Sequence, residues 1–232
     1  MLAVVREHAK SLRAWVYDLC IVPMTSRWYR EVLLECPVNT SMLDVGVGTA
    51  TSLIANRDII VSKQMTVTGV DYDAAYVRSA QANVAACGGS LQDVIKTEQA
   101  DIHEYNKSHK VKFDIIYFSG SFMIIPRQAE ALRHCVQMLR SPVPKVPDGC
   151  NIFFTQTFEK RTFIGLYVTP FVKRFLKAVT TIDFGEVTYE DDFRAALEEA
   201  DVDIVRVRAI SSSYFRTQTV VMARPRVSLK RE

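Results

Sequence analysis

The stretch "MLDVGVGTAT", Met42 to Thr51, passes from an apolar, strand-like run into a turn of small residues, with a single carboxylate, Asp44, just ahead of the glycines. A dinucleotide-binding turn carries G-x-G-x-x-G, because its glycines let a pyrophosphate approach a helix N-terminus, and a carboxylate beside that phosphate would repel it. Here the pattern is D-x-G-x-G-x-A, over Asp44, Gly46, Gly48 and Ala50, with Thr51 where the third glycine would fall. In isolation, an Asp before a glycine turn reads equally well as a turn acceptor or a helix cap. As a binding residue, it suits a ligand that carries positive charge and N–H donors.

Outward from this turn the chain alternates short apolar runs with helical stretches. After "MLDV" come "TSLIANRDIIV", "MTVTGV", "YDAAYVRSAQANVAAC" stopped by Gly88 and Gly89, "DVIKTEQ", "KFDIIYF", "RQAEALRHCVQML" opened by Pro126, and "NIFFTQTF". Strand and helix in alternation predict a parallel sheet covered on both faces. The first forty residues read as helices, with Pro23 as a break and Thr25 or Ser26 as the cap of a second piece that ends before Pro37. Past the fifth strand, Thr169 and Pro170 open an amphipathic helix through Phe171, Phe175, Leu176 and Val179. Thr188 begins a T-x-x-D cap ahead of "YEDDFRAALEEA", and "VDIVRVRAI" and "SYFRTQTVVMA" close the chain as two strands joined by "SSS". The expected organisation is one domain: a helical cap over 1–40, a binding core over 41–158, a helical insert over 159–187, a helix and two strands over 188–224, and a basic tail over 225–232.

S-adenosylmethionine has both properties that Asp44 asks for, a sulfonium and an α-ammonium group. At this point residues 40 to 225 resemble the class I S-adenosylmethionine-dependent methyltransferases. The resemblance implies a doubly wound, seven-stranded, mostly parallel α/β sheet with an antiparallel last strand, helices on both faces and an N-terminal helical cap. It implies that Asp44 orients the methionine end, that Gly46, Gly48 and Thr49 let the backbone approach the cofactor, and that Ala50 is small enough to replace a glycine. Asp71, at the end of "VTGVDYD" and 25 residues after Gly46, matches the acceptor of the ribose hydroxyls, with Tyr72 beside it as a cover for the adenine. In "EQADIHEY", Asp101 would take the adenine amino group and Ile102 would pack on the ring; in "FDIIYFSGSFMII", the turn from Ser119 to Ser121 would lie near the donor methyl. Asp114 opens its strand at the opposite end of the sheet and reads as structural.

Composition sets outer limits. Apolar residues at 48% and charged residues at 24% give globular chemistry, and a net charge of +3 carries no strong nucleic-acid signal. The basic end "RPRVSLKRE" reads as a solvated tail or as a contact for an anionic partner. Five scattered cysteines without a CxxC pair suggest reduced thiols, an intracellular, cytoplasmic setting and no metal site. There is no apolar run of about 18 residues, and Arg6, Glu7, His8 and Lys10 stand where a leader would be apolar.

The acceptor is less legible. There is no [DN]-P-P-[FY], no Pro-Cys pair and no glutamate pair of the protein-arginine kind after the fourth strand, so "SGSFMII" resembles the small-molecule (methyltransferase type 11/12-like) branch, with quinone, sterol and phospholipid-headgroup acceptors. Tyr17, Trp28, Tyr29 and Arg30 of the cap, and Glu159, Phe163, Tyr167 and Phe171 of the insert, are candidate walls of an acceptor site. The insert's cationic helix also suits peripheral contact with a membrane surface and a lipid-like acceptor. Methyl transfer is an in-line displacement that needs a base only if the nucleophile must lose a proton; His103, Glu159 and Tyr17 are the candidates. Three other readings stay open: a cofactor-binding or non-catalytic partner subunit, a protein methyltransferase, and a nicotinamide-dependent oxidoreductase, which Asp44 and the missing third glycine disfavour.

Overall fold

Strand β1, Ser41–Val45, is buried at every residue after Ser41, as expected for a strand covered on both faces. It lies between β2 (Thr66–Asp71) and β4 (Ile115–Ser119), parallel to both, with Asp44 level with Gly69 on one side and Tyr117 on the other. Strand β3 (Ile95–Gln99) extends the sheet beyond β2, and β5 (Ile152–Glu159) extends it beyond β4, again in parallel. Strand β7 (Arg216–Pro225) then runs antiparallel to both β5 and β6 (Val202–Ser212), which gives the order β3-β2-β1-β4-β5-β7-β6. The expected seven-stranded, doubly wound sheet with an antiparallel final strand is the observed one. This computed structural model describes residues 22–89, 91–108, 110–140, 149–161, 171 and 188–226. The helix expected ahead of Pro23, the amphipathic helix of the insert and the basic tail lie outside the described residues.

Strict alternation along the strands sorts the interior into two cores. One face carries Met42, Val67, Ile115, Tyr117, Phe153 and Val220. Against it pack α1 (Val22–Glu35), α2 (Thr51–Ile54), α3 (Arg57–Ser62) and α4 (Ala74–Ala86), through residues such as Val32, Leu33, Leu53, Ile60, Ala80 and Val84. A short turn of helix, α5 (Leu91–Val94), leads into β3. The other face carries Leu43, Ile116, Phe118, Ile152 and Phe154 under α6 (Gln128–Gln137) and α7 (Glu190–Glu199). Its centre is aromatic: Phe118 stacks on Phe154 at 5.1 Å, and Phe122 and Phe193 meet Phe154 edge-on at 5.0 and 5.2 Å. Each such ring contributes on the order of 2–3 kcal/mol by burial alone.

Two local expectations are corrected. Among the described residues α1 already includes Pro23, so Thr25 and Ser26 lie inside the helix and do not cap it. Thr25 instead bonds to the Ser52 hydroxyl of α2 at 2.5 Å. The cap of α7 is Tyr189, whose side chain makes no capping bond, and Glu190, Asp191 and Asp192 complement the positive helix end in place of a Thr188 capping box.

Polar contacts also fasten α1 to β6 and at its C-terminal end. Arg208 and Arg206 of β6 pair with Glu31 at 2.5 Å and Glu35 at 2.9 Å, and Arg27 donates to the Ile210 carbonyl at 3.2 Å. At its C-terminus the Lys63 ammonium donates to the carbonyls of Leu33, Leu34 and Cys36 at 2.9, 2.7 and 2.5 Å, so three acceptors at the negative helix end share one cation. Replacing that cation by an isosteric apolar chain, Lys63→Met, is expected to lower unfolding free energy by about 1–2 kcal/mol and the melting temperature by a few degrees. Denaturant and thermal unfolding measure this, and an unchanged midpoint would contradict it.

Candidate functional site

Sheet growth reverses direction between β1 and β4, and in an open α/β sheet the crevice at the carboxyl ends of such a strand pair is where ligands bind. The turn after β1 is built there. Its backbone is tied to β2: Gly46 and Val47 donate to the Val70 carbonyl at 2.7 and 3.2 Å, and Gly48 donates to the Asp71 carboxylate at 2.9 Å. Gly46 has φ +81°, and a Cβ there would lie 2.5 Å from the Ser121 Cβ. The glycine is therefore demanded by two independent constraints, backbone conformation and the close passage of the turn after β4. Ser121, buried, fastens that passage by donating its hydroxyl to the Val45 carbonyl.

Ala50 shows what the sequence left out. The requirement there is more than small size: Ala50 caps α2 at φ 57° and ψ 3°, a left-handed conformation that costs a non-glycine residue roughly 1–2 kcal/mol. The surroundings hold it in place. Asn83 of α4 donates to the Thr49 carbonyl at 3.0 Å and to the Thr51 hydroxyl at 3.2 Å, and the Thr49 and Thr51 hydroxyls bond at 2.9 Å.

Asp44 is fully buried. Its Oδ2 accepts the Tyr29 phenol of α1 at 2.7 Å, while its Oδ1, equally buried, has no hydrogen-bond partner among the described residues. Burial pushes the Asp44 carboxyl up to about 7, against the opposing effect of the Tyr29 hydrogen bond and with a further upward contribution from the Asp71 charge. A buried carboxylate oxygen without a donor is costly, and a ligand that brings an ammonium or N–H group to it removes that cost.

The remaining expected cofactor residues stand at or just past the carboxyl ends of β1 to β4. Asp71 ends β2 with Oδ2 on the Gly48 N–H and Oδ1 on the Asp73 N–H, both at 2.9 Å, which fixes the carboxylate and leaves further lone pairs toward solvent. Burial raises its pKa, opposed by those backbone donors. Asp101 is exposed, with Oδ1 accepting the His103 N–H at 2.9 Å, and Ile102 is buried against the core that holds Val70 and Phe118. Ser119 ends β4, Thr49 is half-buried in the turn, and Tyr72 is 78% exposed beside Asp71.

The acceptor-side candidates divide. Tyr29 is not an acceptor wall; it is buried on Asp44 and meets Tyr117 edge-on at 5.1 Å. Trp28 packs on the β4 turn, where a Cβ at Gly120 would lie 2.9 Å from its ring, and its indole N–H donates to Gln218 at 3.1 Å. Arg30 faces solvent and pairs with Asp58 at 3.4 Å. His103 is held by the Pro126 carbonyl at 2.9 Å from Nε2, with Nδ1 3.9 Å from Glu130, so both ring nitrogens face the loop into α6. Glu159 is buried at the carboxyl end of β5, level with Arg216. Tyr17, Phe163 and Tyr167 lie outside the described residues, and Phe171 is exposed. As expected, Asp114 is structural: at the far end of the sheet it accepts the Ser41 N–H and hydroxyl at 2.9 and 2.8 Å. Tyr29, Asn83 and Ser121 were not assigned these positions from sequence, since each acts through a contact between segments distant in the chain.

Residues 42–142 match the family model described as a methyltransferase domain. The fold is the class I, Rossmann-like methyltransferase fold, and three solved structures illustrate the likeness. One is the [4+2]-cyclase SpnF, 14% identical, covering 86% of this chain and 81% of that one at a TM-score of 0.65. Another is the geranyl diphosphate C-methyltransferase of Streptomyces coelicolor A3(2), solved with Mg2+, geranyl diphosphate and S-adenosyl-L-homocysteine, 9% identical over 87% and 78% at 0.60. A third is a SAM-dependent methyltransferase from Geobacter sulfurreducens in complex with S-adenosyl-L-homocysteine, 14% identical over 87% and 90% at 0.57. No curated protein matches this chain.

The turn's double constraint is testable. Gly46→Ala places a side chain against Ser121 and an L residue at φ +81°, and is expected to cost more than about 2 kcal/mol in urea unfolding. A cost under about 0.5 kcal/mol would show that the turn is not held as described.

Proposed function

We propose that this methyltransferase-fold chain binds S-adenosylmethionine and transfers its methyl group to a small-molecule or lipid-like acceptor. The observation that carries the reading is Asp44: a fully buried carboxylate at the D-x-G-x-G turn, with one oxygen satisfied by Tyr29 and the other without a hydrogen-bond partner among the described residues. That acceptor fits an ammonium-bearing ligand and opposes a pyrophosphate, which disfavours a nicotinamide cofactor.

Asp44 would orient the methionine end, and the backbone of Gly46, Gly48 and Thr49 would lie along it. Asp71 would accept the ribose hydroxyls, Asp101 the adenine amino group, and Ile102 would support the ring, with Tyr72 closing over it. When bound, the cofactor supplies an electrophilic methyl on a sulfonium, so the protein's part is alignment and exclusion of water. The turn from Ser119 to Ser121, pinned to β1 and covered by Trp28, is the rigid surface against which an acceptor would be aligned.

For an amine or carbanion acceptor no base is needed. For a hydroxyl acceptor the carboxylate of Glu159 is the best-placed of the candidates, because the ring nitrogens of His103 are turned to Pro126 and Glu130. Tyr17 stays a candidate from sequence. Among the described residues no helix is long and apolar enough to cross a membrane; a lipid-like acceptor would be met at a surface. A second reading is cofactor binding in the service of other chemistry or of a partner subunit. It takes support from the cyclase among the structural neighbours.

Calorimetric titration with S-adenosylmethionine, S-adenosylhomocysteine and NAD in parallel tests the first step. Micromolar binding of the first two and none of NAD is expected; binding of NAD alone would overturn the assignment. Asp71→Ala would also free the Gly48 and Asp73 N–H groups, so Asp71→Asn, which retains an acceptor and loses the charge, is the cleaner probe. It is expected to weaken S-adenosylhomocysteine about tenfold or more, at a stability cost of about 1–2 kcal/mol from the one N–H group left facing an amide NH2. Transfer of labelled methyl to quinones, phospholipid headgroups or small amines then separates the catalytic reading from the binding-only one.

A further inference from the structure

Beyond Trp28 over the turn after β4, the proposed site assigns no role to α1. Yet the contact that completes Asp44 comes from that helix. Tyr29 stands on the buried face of α1, only 3% exposed, with its ring edge-on to Tyr117 and its hydroxyl on Asp44 Oδ2. Tyr117, level with Asp44 on β4, bonds through its own hydroxyl to Thr155 at 2.9 Å, so it has a partner without competing for the carboxylate. The Asp44 carboxylate thus has one oxygen held by α1 and one buried oxygen held by nothing among the described residues.

We infer that Tyr29 is a positioning residue for the ligand at Asp44: its phenol fixes the carboxylate through Oδ2, presents Oδ1 to a ligand N–H, and joins the docking of α1 and the occupation of the site into one equilibrium. This rests on the proposed function in one respect, that the ligand at Asp44 carries an ammonium or N–H group. The physical reason is reciprocity. A ligand that satisfies Oδ1 favours the ionised carboxylate, an ionised carboxylate strengthens the phenol hydrogen bond, and whatever strengthens that bond holds α1 on the sheet.

Among the described residues the groups that face the carboxylate are Tyr29 from α1, Asp71 from β2 and Tyr117 from β4. Burial places the Asp44 titration near neutrality in the ligand-free protein, and the Tyr29 bond acts against that rise. The sign follows. An ammonium ligand binds the ionised form, so affinity increases as pH rises through the Asp44 titration, and loss of the phenol moves that increase to higher pH. Burial raises the Asp71 titration as well, and that contribution is common to wild type and variant.

The test is S-adenosylhomocysteine affinity by calorimetry from about pH 5.5 to about 7.5, in the wild type, in Tyr29→Phe and in Arg30→Ala. Tyr29→Phe keeps the ring against Tyr117; Arg30→Ala removes only an exposed ion pair on the same helix. In the wild type, affinity should tighten about tenfold or more across the window; in Tyr29→Phe it should fall about tenfold at neutral pH with its rise displaced upward; Arg30→Ala should match the wild type. An independent readout on the unaltered protein is amide exchange, where ligand should slow the buried turns of α1, residues 22–35, as well as the glycine turn. Tyr29→Phe with wild-type affinity and an undisplaced pH profile, or exchange in α1 indifferent to ligand, would overturn the inference while leaving the proposed function standing. A wild type that binds neither S-adenosyl compound would overturn both.

Discussion

A carboxylate buried at the end of the central strand is the constraint around which the rest of this structure is arranged. Asp44 lies where β1 gives way to the glycine turn, is wholly removed from solvent, and has water replaced by a single phenol. Such a group is an expense to the fold, since an ionised buried carboxylate needs more donors than one hydroxyl can provide. Its neighbourhood is built to keep it there. The turn is clamped to β2 through Val70 and Asp71, to α4 through Asn83, and to β4 through Ser121, so relaxation that would bring water to the carboxylate is resisted on three sides. A site that withholds donors from a buried anion in the free protein is prepared for a ligand that brings them.

The architecture follows from placing that residue. The sheet grows outward in both directions from β1 and β4, so the carboxyl ends of β1, β2 and β4 open on one crevice, and the loops carrying Asp44, Asp71 and Ser119 share it. Helix α1 roofs one face, held by the arginines of β6 at one side and by Lys63 at its end. The other face, with its packed phenylalanines, is the core on which Ile102 rests. Solved structures of the same fold range from methyltransferases to a cyclase at low identity, so the fold alone does not choose among chemistries, and the site has to.

Much of this was legible in the amino-acid sequence, for an identifiable reason. Alternating strands and helices, and the acidic residues at strand ends, are local signals: "MLDVGVG" and "VTGVDYD" each declare a strand and what stands at its end. The antiparallel final strand was legible in the same way, from two adjoining strand patterns with a short polar link. What the sequence did not carry was contact between distant segments. Tyr29 reads as an aromatic on a helix, and nothing within α1 says that its hydroxyl meets Asp44. Ala50 reads as a tolerated small residue, and its left-handed backbone becomes visible only with the turn around it. Thr25, Ser26 and Thr188 do not cap because capping preferences are weak beside tertiary packing, which carries α1 past the first two and caps α7 with Tyr189.

The claim on which everything else depends is that the crevice at the ends of β1, β2 and β4 is the cofactor site. Hydrogen exchange of the intact protein, with and without saturating S-adenosylhomocysteine, addresses it most directly because it reports location and binding together. The account predicts slowed exchange in four separated segments, the glycine turn at 45–51, the β2 end at 71–73, the loop at 101–103 and the β4 turn at 119–122, with the far end of the sheet around Asp114 unchanged. Protection confined to other parts of the chain, or exchange unaltered by ligand throughout, would contradict it.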